Sequence, residues 1–151
     1  MLSVVIDFAN VFLAALLVGA TFGAWLIFDP AGLEGKVYVA LQQQGIRALN
    51  KTMPALGGAT IVLTMAAAAL GRAQARRFSL LVAAVVCFVA AGLVTRFLNQ
   101  PINAIVMTWS CHAPPANWTG LRDQWWRWHL VRLAAGLGGL SLLIVAALKR
   151  V

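Results

Sequence analysis

Four apolar runs, each near the length that crosses a lipid bilayer, dominate this chain of 151 residues. They cover about 3–28, 53–70, 78–98 and 130–148, with almost no charge inside them. A helix rises 1.5 Å per residue, so runs of about 20 residues match a hydrocarbon core of about 30 Å. Composition agrees: 62% of residues are hydrophobic and 11% charged, against about 25% charged in soluble domains. The expected fold is all-α, a single integral membrane domain over 1–151 built as a four-helix bundle.

The formal charge of +8 raises nucleic-acid binding, but the basic residues sit at the ends of apolar runs. That pattern belongs to membrane flanks, and no nucleic acid is expected. The tightest basic group, Arg72, Arg76 and Arg77 in "GRAQARR", falls in the short link between runs two and three. With Lys149 and Arg150, it predicts both termini on the cytoplasmic side of a bacterial inner membrane. Lys36, Arg47, Lys51, Arg122 and Arg127 fall on the opposite side. The first run lacks a basic leader and is too long for a signal peptide, so it is expected to stay as a helix. Cys87 lies mid-run and Cys111 in a loop, farther apart than the roughly 7 Å a disulfide spans.

Asp29 and Pro30 break the first run. The stretch "VYVALQQQGIRALNKT" repeats Tyr38, Leu41, Ile46 and Leu49 near helical spacing. It predicts an amphipathic helix between spans one and two, at the membrane surface or bundle mouth, with Pro54 at the bend. "GATFG" and "AAGLGG" place Gly19 with Gly23, and Ala135 with Gly139, four apart. Such small-residue stripes let helices one and four approach closely.

The chemistry concentrates in two stretches. "TRFLNQPINAIVMTW" carries Arg96, Asn99, Gln100 and Asn103 around Pro101. In "NWTGLRDQWWRWHLVR", at 100° per residue, Trp118, Leu121, Arg122, Trp125, Trp128, His129 and Arg132 share one helical face, with Trp126 and Arg127 pointing largely elsewhere. If the third helix continues past Pro101, Arg96, Asn99 and Asn103 share a face too. Antiparallel neighbours would bring both faces to one end of the bundle. Each residue also has a plainer account: tryptophans as an interfacial belt, arginines snorkelling, amides capping, a histidine hydrogen-bonded in place. Polar groups gathered at one depth are costly in lipid unless they satisfy one another or a ligand. Asp7 and Asn10, near the other end, are expected to pair with the basic residues there.

No cofactor motif is evident. Met107, Cys111 and His112 could suit a soft metal, and His129 a haem, but no CxxC or HxxxH spacing supports either. With four acidic residues in all, no pair of carboxylates is available for acid–base work.

The chain resembles the anthrone oxygenase family of small four-helix membrane proteins. The match runs through "GATFGAWLIFDP", "YVALQQQGIRALNKTMPALG", "TRFLNQPINAIVMTW" and "NWTGLRDQWWRWHLVR", the last two amounting to N-x-P-x-N and W-x-x-W-H-x-x-R. The resemblance implies oxidation of an anthrone to an anthraquinone by molecular oxygen. Its matching positions are Asn99, Pro101, Asn103, Trp125, Trp128, His129 and Arg132. Many members carry Asn where this chain has His129. Such a reaction needs a base, donors for a developing oxyanion and an aromatic slot. The expected catalytic set is His129 as base with Arg132, Arg96, Asn103 and Asn99 as donors. Trp125, Trp128, Trp109 and Gln100 are expected to hold the apolar aromatic substrate, and a homo-oligomer stays open. The alternative is a non-enzymatic ligand-binding or assembly protein whose polar cluster locks helices together. A transporter is disfavoured by the absence of an inverted repeat.

Overall fold

The computed structural model describes residues 2–28 and 30–149. The expected break at Asp29 and the terminal Arg150 lie outside them. Among the described residues, four helices are long and apolar enough to cross a membrane. Helix α1 spans Leu2–Ile27 and is followed by a 3-10 turn at Pro30–Gly32. The amphipathic helix α2 covers Gly35–Leu49, and α3 covers Thr52–Leu70. Helix α4 runs over Ala75–Val94, a π-helical turn over Thr95–Asn99, α5 over Gln100–Val106 and α6 over Trp118–Leu148.

The spans form a closed ring. Helix α6 packs most extensively on α4, and the α4–α3, α3–α1 and α1–α6 contacts complete it. Small residues line the interior: Ala14, Ala67, Ala68, Ala84 and Ala146 interleave with Val18, Leu81, Phe88 and Leu143. Water exclusion gives little drive to helix association in lipid, so close backbone approach does this work. The glycines that permit it are not the expected pair. A methyl on Gly19 or Gly23 would touch nothing, whereas one on Gly136 would meet Val18 at 3.3 Å and one on Gly139 would meet Phe88 at 2.9 Å. Gly139 therefore serves the α6–α4 contact, not α6–α1. Phe88 is buried and cannot swing aside. Gly139→Ala is expected to lower stability by about 1–3 kcal/mol through overpacking, while Gly19→Ala is neutral or slightly stabilising; thermal unfolding in detergent checks both.

The helices run beyond the apolar stretches. The helix that carries span four begins at Trp118, twelve residues before Leu130. The helix of span three continues through the π turn and α5 to Val106. The bend before α3 sits at Asn50 and Lys51, with Pro54 inside α3's first turn, where a missing N–H costs no helical hydrogen bond. The uncharged stretches 78–95 and 133–148 are about 24–27 Å long at 1.5 Å per residue. They mark a hydrocarbon-wide slab with Arg96 and Arg132 at its upper edge. Above it, α2, α5 and the first turns of α6 build a cap. At the lower edge Arg77 pairs with Asp7, as expected for the basic end.

Candidate functional site

The π-helical turn shapes the cap. Pro101 has no N–H to give the Phe97 carbonyl, and its ring would crowd that carbonyl in a regular helix. The wide turn relieves the conflict: the Gln100 amide reaches back to the Thr95 carbonyl, and Thr95 Oγ1 donates to the Ala91 carbonyl at 2.8 Å. A π turn takes up one extra residue, about 100° of helical phase. Arg96, Asn99 and Asn103 therefore do not share one face, as an unbroken helix would require. Asn99 is fully buried, Asn103 half-buried and Arg96 exposed.

Helix α2 lies over α5 and is clamped there. Gln43 Nε2 donates to the carbonyls of Val106 and Trp109, both at 2.9 Å; the Val106 carbonyl also takes the Trp109 N–H at 3.1 Å, so one side chain ties α2 to the turn that ends α5. Between α2 and the π turn with α5 is an open cleft of about 310 Å³. Ile46 and Asn50 form one wall; Arg96, Gln100, Pro101, Asn103, Ala104 and Met107 form the other. Arg96 Nη1 donates to Gln100 Oε1 at 3.4 Å, leaving the Gln100 amide hydrogens available. Asn103 Oδ1 accepts from Trp125 Nε1 at 2.8 Å and from Gln42 Nε2 at 3.4 Å. An indole nitrogen only donates, so the Asn103 oxygen must face Trp125 and its NH₂ is left for the cleft. The outcome is a cleft of mixed lining, apolar at Ile46, Pro101, Ala104 and Met107 and polar at Asn50, with a guanidinium and two amide donors along one side.

A second polar group lies behind Trp125. Asn99 Nδ2 donates to the Trp125 carbonyl at 3.0 Å. Arg132 approaches His129 Nδ1 with Nη2 at 2.9 Å and Nε at 3.3 Å. Guanidinium nitrogens cannot accept, so His129 Nδ1 is the acceptor and its proton sits on Nε2. His129 is fully buried. Its Nε2 meets no partner in hydrogen-bond geometry, although the Thr21 main chain lies nearby. The Arg132 guanidinium also rests over the Trp125 ring, 5.5 Å from its centroid.

Residues 44–142 match the sequence model of the anthrone oxygenase family. That interval takes in every residue of the cleft and all of Asn99, His129 and Arg132. The chain belongs to the anthrone oxygenase family. No curated protein and no solved structure matches it. The family match leaves out the last turns of α6 and residues 1–43, which in this anthrone oxygenase family member supply Gln42, Gln43 and the aromatic packing of Phe28 and Tyr38.

The expected site residues divide between two places. Arg96, Gln100 and Asn103 line the cleft; Asn99, His129 and Arg132 do not. Trp125 is buried and enclosed by Phe28, Trp126 and His129, so its ring is not free to stack on a substrate. Trp109 and Trp128 pack, half-buried, against the Ile46, Ile102, Val106 and Trp125 cluster. Trp126 does not point away as expected: its ring lies near-parallel to His129 at 5.2 Å. Residues three apart on a helix are only about 60° apart around it and lie side by side. Gln42 was legible in principle, because it shares the buried face of α2 with Tyr38 and Ile46, four residues away on either side. Tyr38 is fully buried, stacked on Phe28 and against Trp118. Burial pushes its phenol well above the ordinary value, with the Arg122 charge opposing, so it stays protonated. Cys87 and Cys111 are both free thiols. Among the described residues no three His, Cys, Asp or Glu side chains converge.

Proposed function

We propose that this anthrone oxygenase family member oxidises an electron-rich, lipid-soluble aromatic substrate with molecular oxygen in the cleft between α2 and α5. The observation that carries the reading is the donor row of Arg96, Gln100 and Asn103, set beside Ile46, Pro101, Ala104 and Met107 in one cleft at the edge of the uncharged slab. An anthrone methylene is acidic because its proton can leave an enolate whose charge rests on oxygen. Donors aimed at that oxygen favour the enolate and the transition state that forms it. The enolate carbon then bonds one atom of O₂. The outer oxygen of the resulting peroxide takes a proton from water; breaking the remaining C–H and the O–O bond then releases water and turns the former CH₂ into C=O, so one oxygen atom stays in the quinone and the other leaves as water.

In this reading His129 does not take the proton, because its Nδ1 lone pair already accepts from Arg132. The proton leaves through the open mouth to water. The cleft faces the side opposite the α3–α4 link, where Arg72 and Arg76 are exposed and which this reading places in the cytoplasm together with both termini. The test is oxygen uptake by the purified protein supplied with anthrone. Uptake above the buffer rate, one O₂ per quinone with a single ¹⁸O retained from ¹⁸O₂, supports it; no protein-dependent uptake counts against it.

A structural role is favoured for the group behind Trp125, because Asn99 and His129 are fully buried and outside the cleft. Asn99→Ala is expected to lower stability by about 1–3 kcal/mol, the cost of stranding buried hydrogen-bonding groups. The melting temperature falls accordingly, while KM for anthrone in the folded fraction moves little.

A further inference from the structure

We infer that Trp125 is a positioning residue: its buried indole N–H fixes which end of the Asn103 carboxamide the cleft presents. The inference rests on the reading of the cleft just given. Among the described residues, Asn103 is the only cleft residue whose side chain is also hydrogen-bonded to α6, through Trp125 Nε1 at 2.8 Å. Turning the carboxamide over would set its NH₂ against the indole N–H and strand a buried donor. It would also place a carbonyl oxygen on the cleft side, where an enolate or phenolate oxygen would be repelled. Gln42 Nε2, at 3.4 Å from the same oxygen, opposes the turn from α2.

Trp125 can do this because it is itself held from several sides. Phe28 meets its ring edge-on at 6.1 Å and 86°. His129 lies near-parallel at 5.2 Å. The Arg132 guanidinium covers the ring, and Asn99 holds its main-chain carbonyl. The buried polar group therefore acts on the cleft through one indole. This also gives Trp125 a role that stacking on substrate would not: it sets the polarity of the cleft wall without touching what binds there.

The test is a double-mutant cycle read by binding of para-nitrophenolate, a coloured anion, to the full-length protein in detergent. Trp125→Phe keeps an aromatic ring and removes the donor. Asn103→Ala and Trp125→Phe are each expected to weaken binding about tenfold, and Trp125→Phe in the Asn103→Ala background by less than about twofold. A purely structural Trp125 would give its full loss in both backgrounds, which overturns the inference. So does unchanged affinity in Trp125→Phe where Asn103→Ala weakens binding; the cleft reading then survives alone. If neither Asn103→Ala nor Arg96→Ala weakens binding, the cleft reading fails and the inference with it. Asn103→Asp decides the matter should Trp125→Phe fail to fold. It keeps an acceptor for both donors but turns a carboxylate oxygen to the cleft, so para-nitrophenolate binding should fall more than tenfold with an unchanged melting profile; retained affinity contradicts the inference.

Discussion

Arg77→Leu lowers the stability of the bundle by about 3–5 kcal/mol, the largest loss expected of any single substitution outside the cap. Both Asp7 carboxylate oxygens accept from Arg77 Nη2 at 2.8 Å, and the two side chains are 11% and 6% exposed. Removing the guanidinium leaves a carboxylate among packed helices with its main counter-charge gone. The pair also ties the first turns of α4 to those of α1, spans that are not neighbours in the ring. Next to it, Asn10 is fully buried and meets Thr64 at 3.1 Å across α1 and α3, so the polar lock extends a turn into the bundle. Replacing both partners, Asp7→Leu with Arg77→Leu, should recover most of the loss, because apolar groups need no compensating charge. Thermal unfolding of the single and double variants in the same detergent separates the cost of losing the Arg77 charge from the net worth of the pair. Recovery to near the parent value is expected; a double variant as unstable as the single one would mean that the site needs polarity itself.

Asn103→Ala is expected to lower kcat for anthrone oxidation about 10²- to 10³-fold, the usual cost of deleting one oxyanion donor. KM should change less, since the apolar walls of Ile46, Ala104 and Met107 remain. The residue carries this weight because its oxygen is already committed to Trp125 and Gln42. Its donors are therefore pre-aimed and need no reorganisation as charge develops. Arg96→Ala should cost less. The Arg96 side chain is exposed and its bond to Gln100 is long, at 3.4 Å, so water can partly replace its charge. Steady-state oxygen uptake on the two variants ranks them; an Asn103→Ala enzyme as fast as the parent would remove the carboxamide from the chemistry.

Much of this was legible in the sequence, and the misses share causes. The four spans follow from uncharged length alone, since the bilayer fixes how long such a run must be. Asp7 was readable as a partner for the basic end because so few acids are available; Asn10, expected to pair there too, meets Thr64 on α3 instead. The ends of spans three and four were not readable. Arg96 and Asn99 look like a return to water, yet the chain continues as helix into a cap that α2 covers. The π turn has no hydrophobic period of its own, and it shifted Arg96 away from Asn99 by the one residue it absorbs. His129 and Arg132 were correctly placed on one face at three-residue spacing. What spacing cannot show is that the arginine occupies the lone pair a base would need. The glycine stripe misled because recurrence at four residues says only that a face is smooth, not which helix lies against it: Gly139 meets Phe88, while Gly19 meets nothing.

The most direct test of the cleft as the reactive site is an experimental structure of the protein with anthraquinone, the reaction's product, bound. The account predicts the planar ring between Ile46 and Met107, with one carbonyl oxygen within hydrogen-bond distance of Asn103 Nδ2. Ligand density against His129, or only on the lipid-facing surface with the cleft empty, would contradict it.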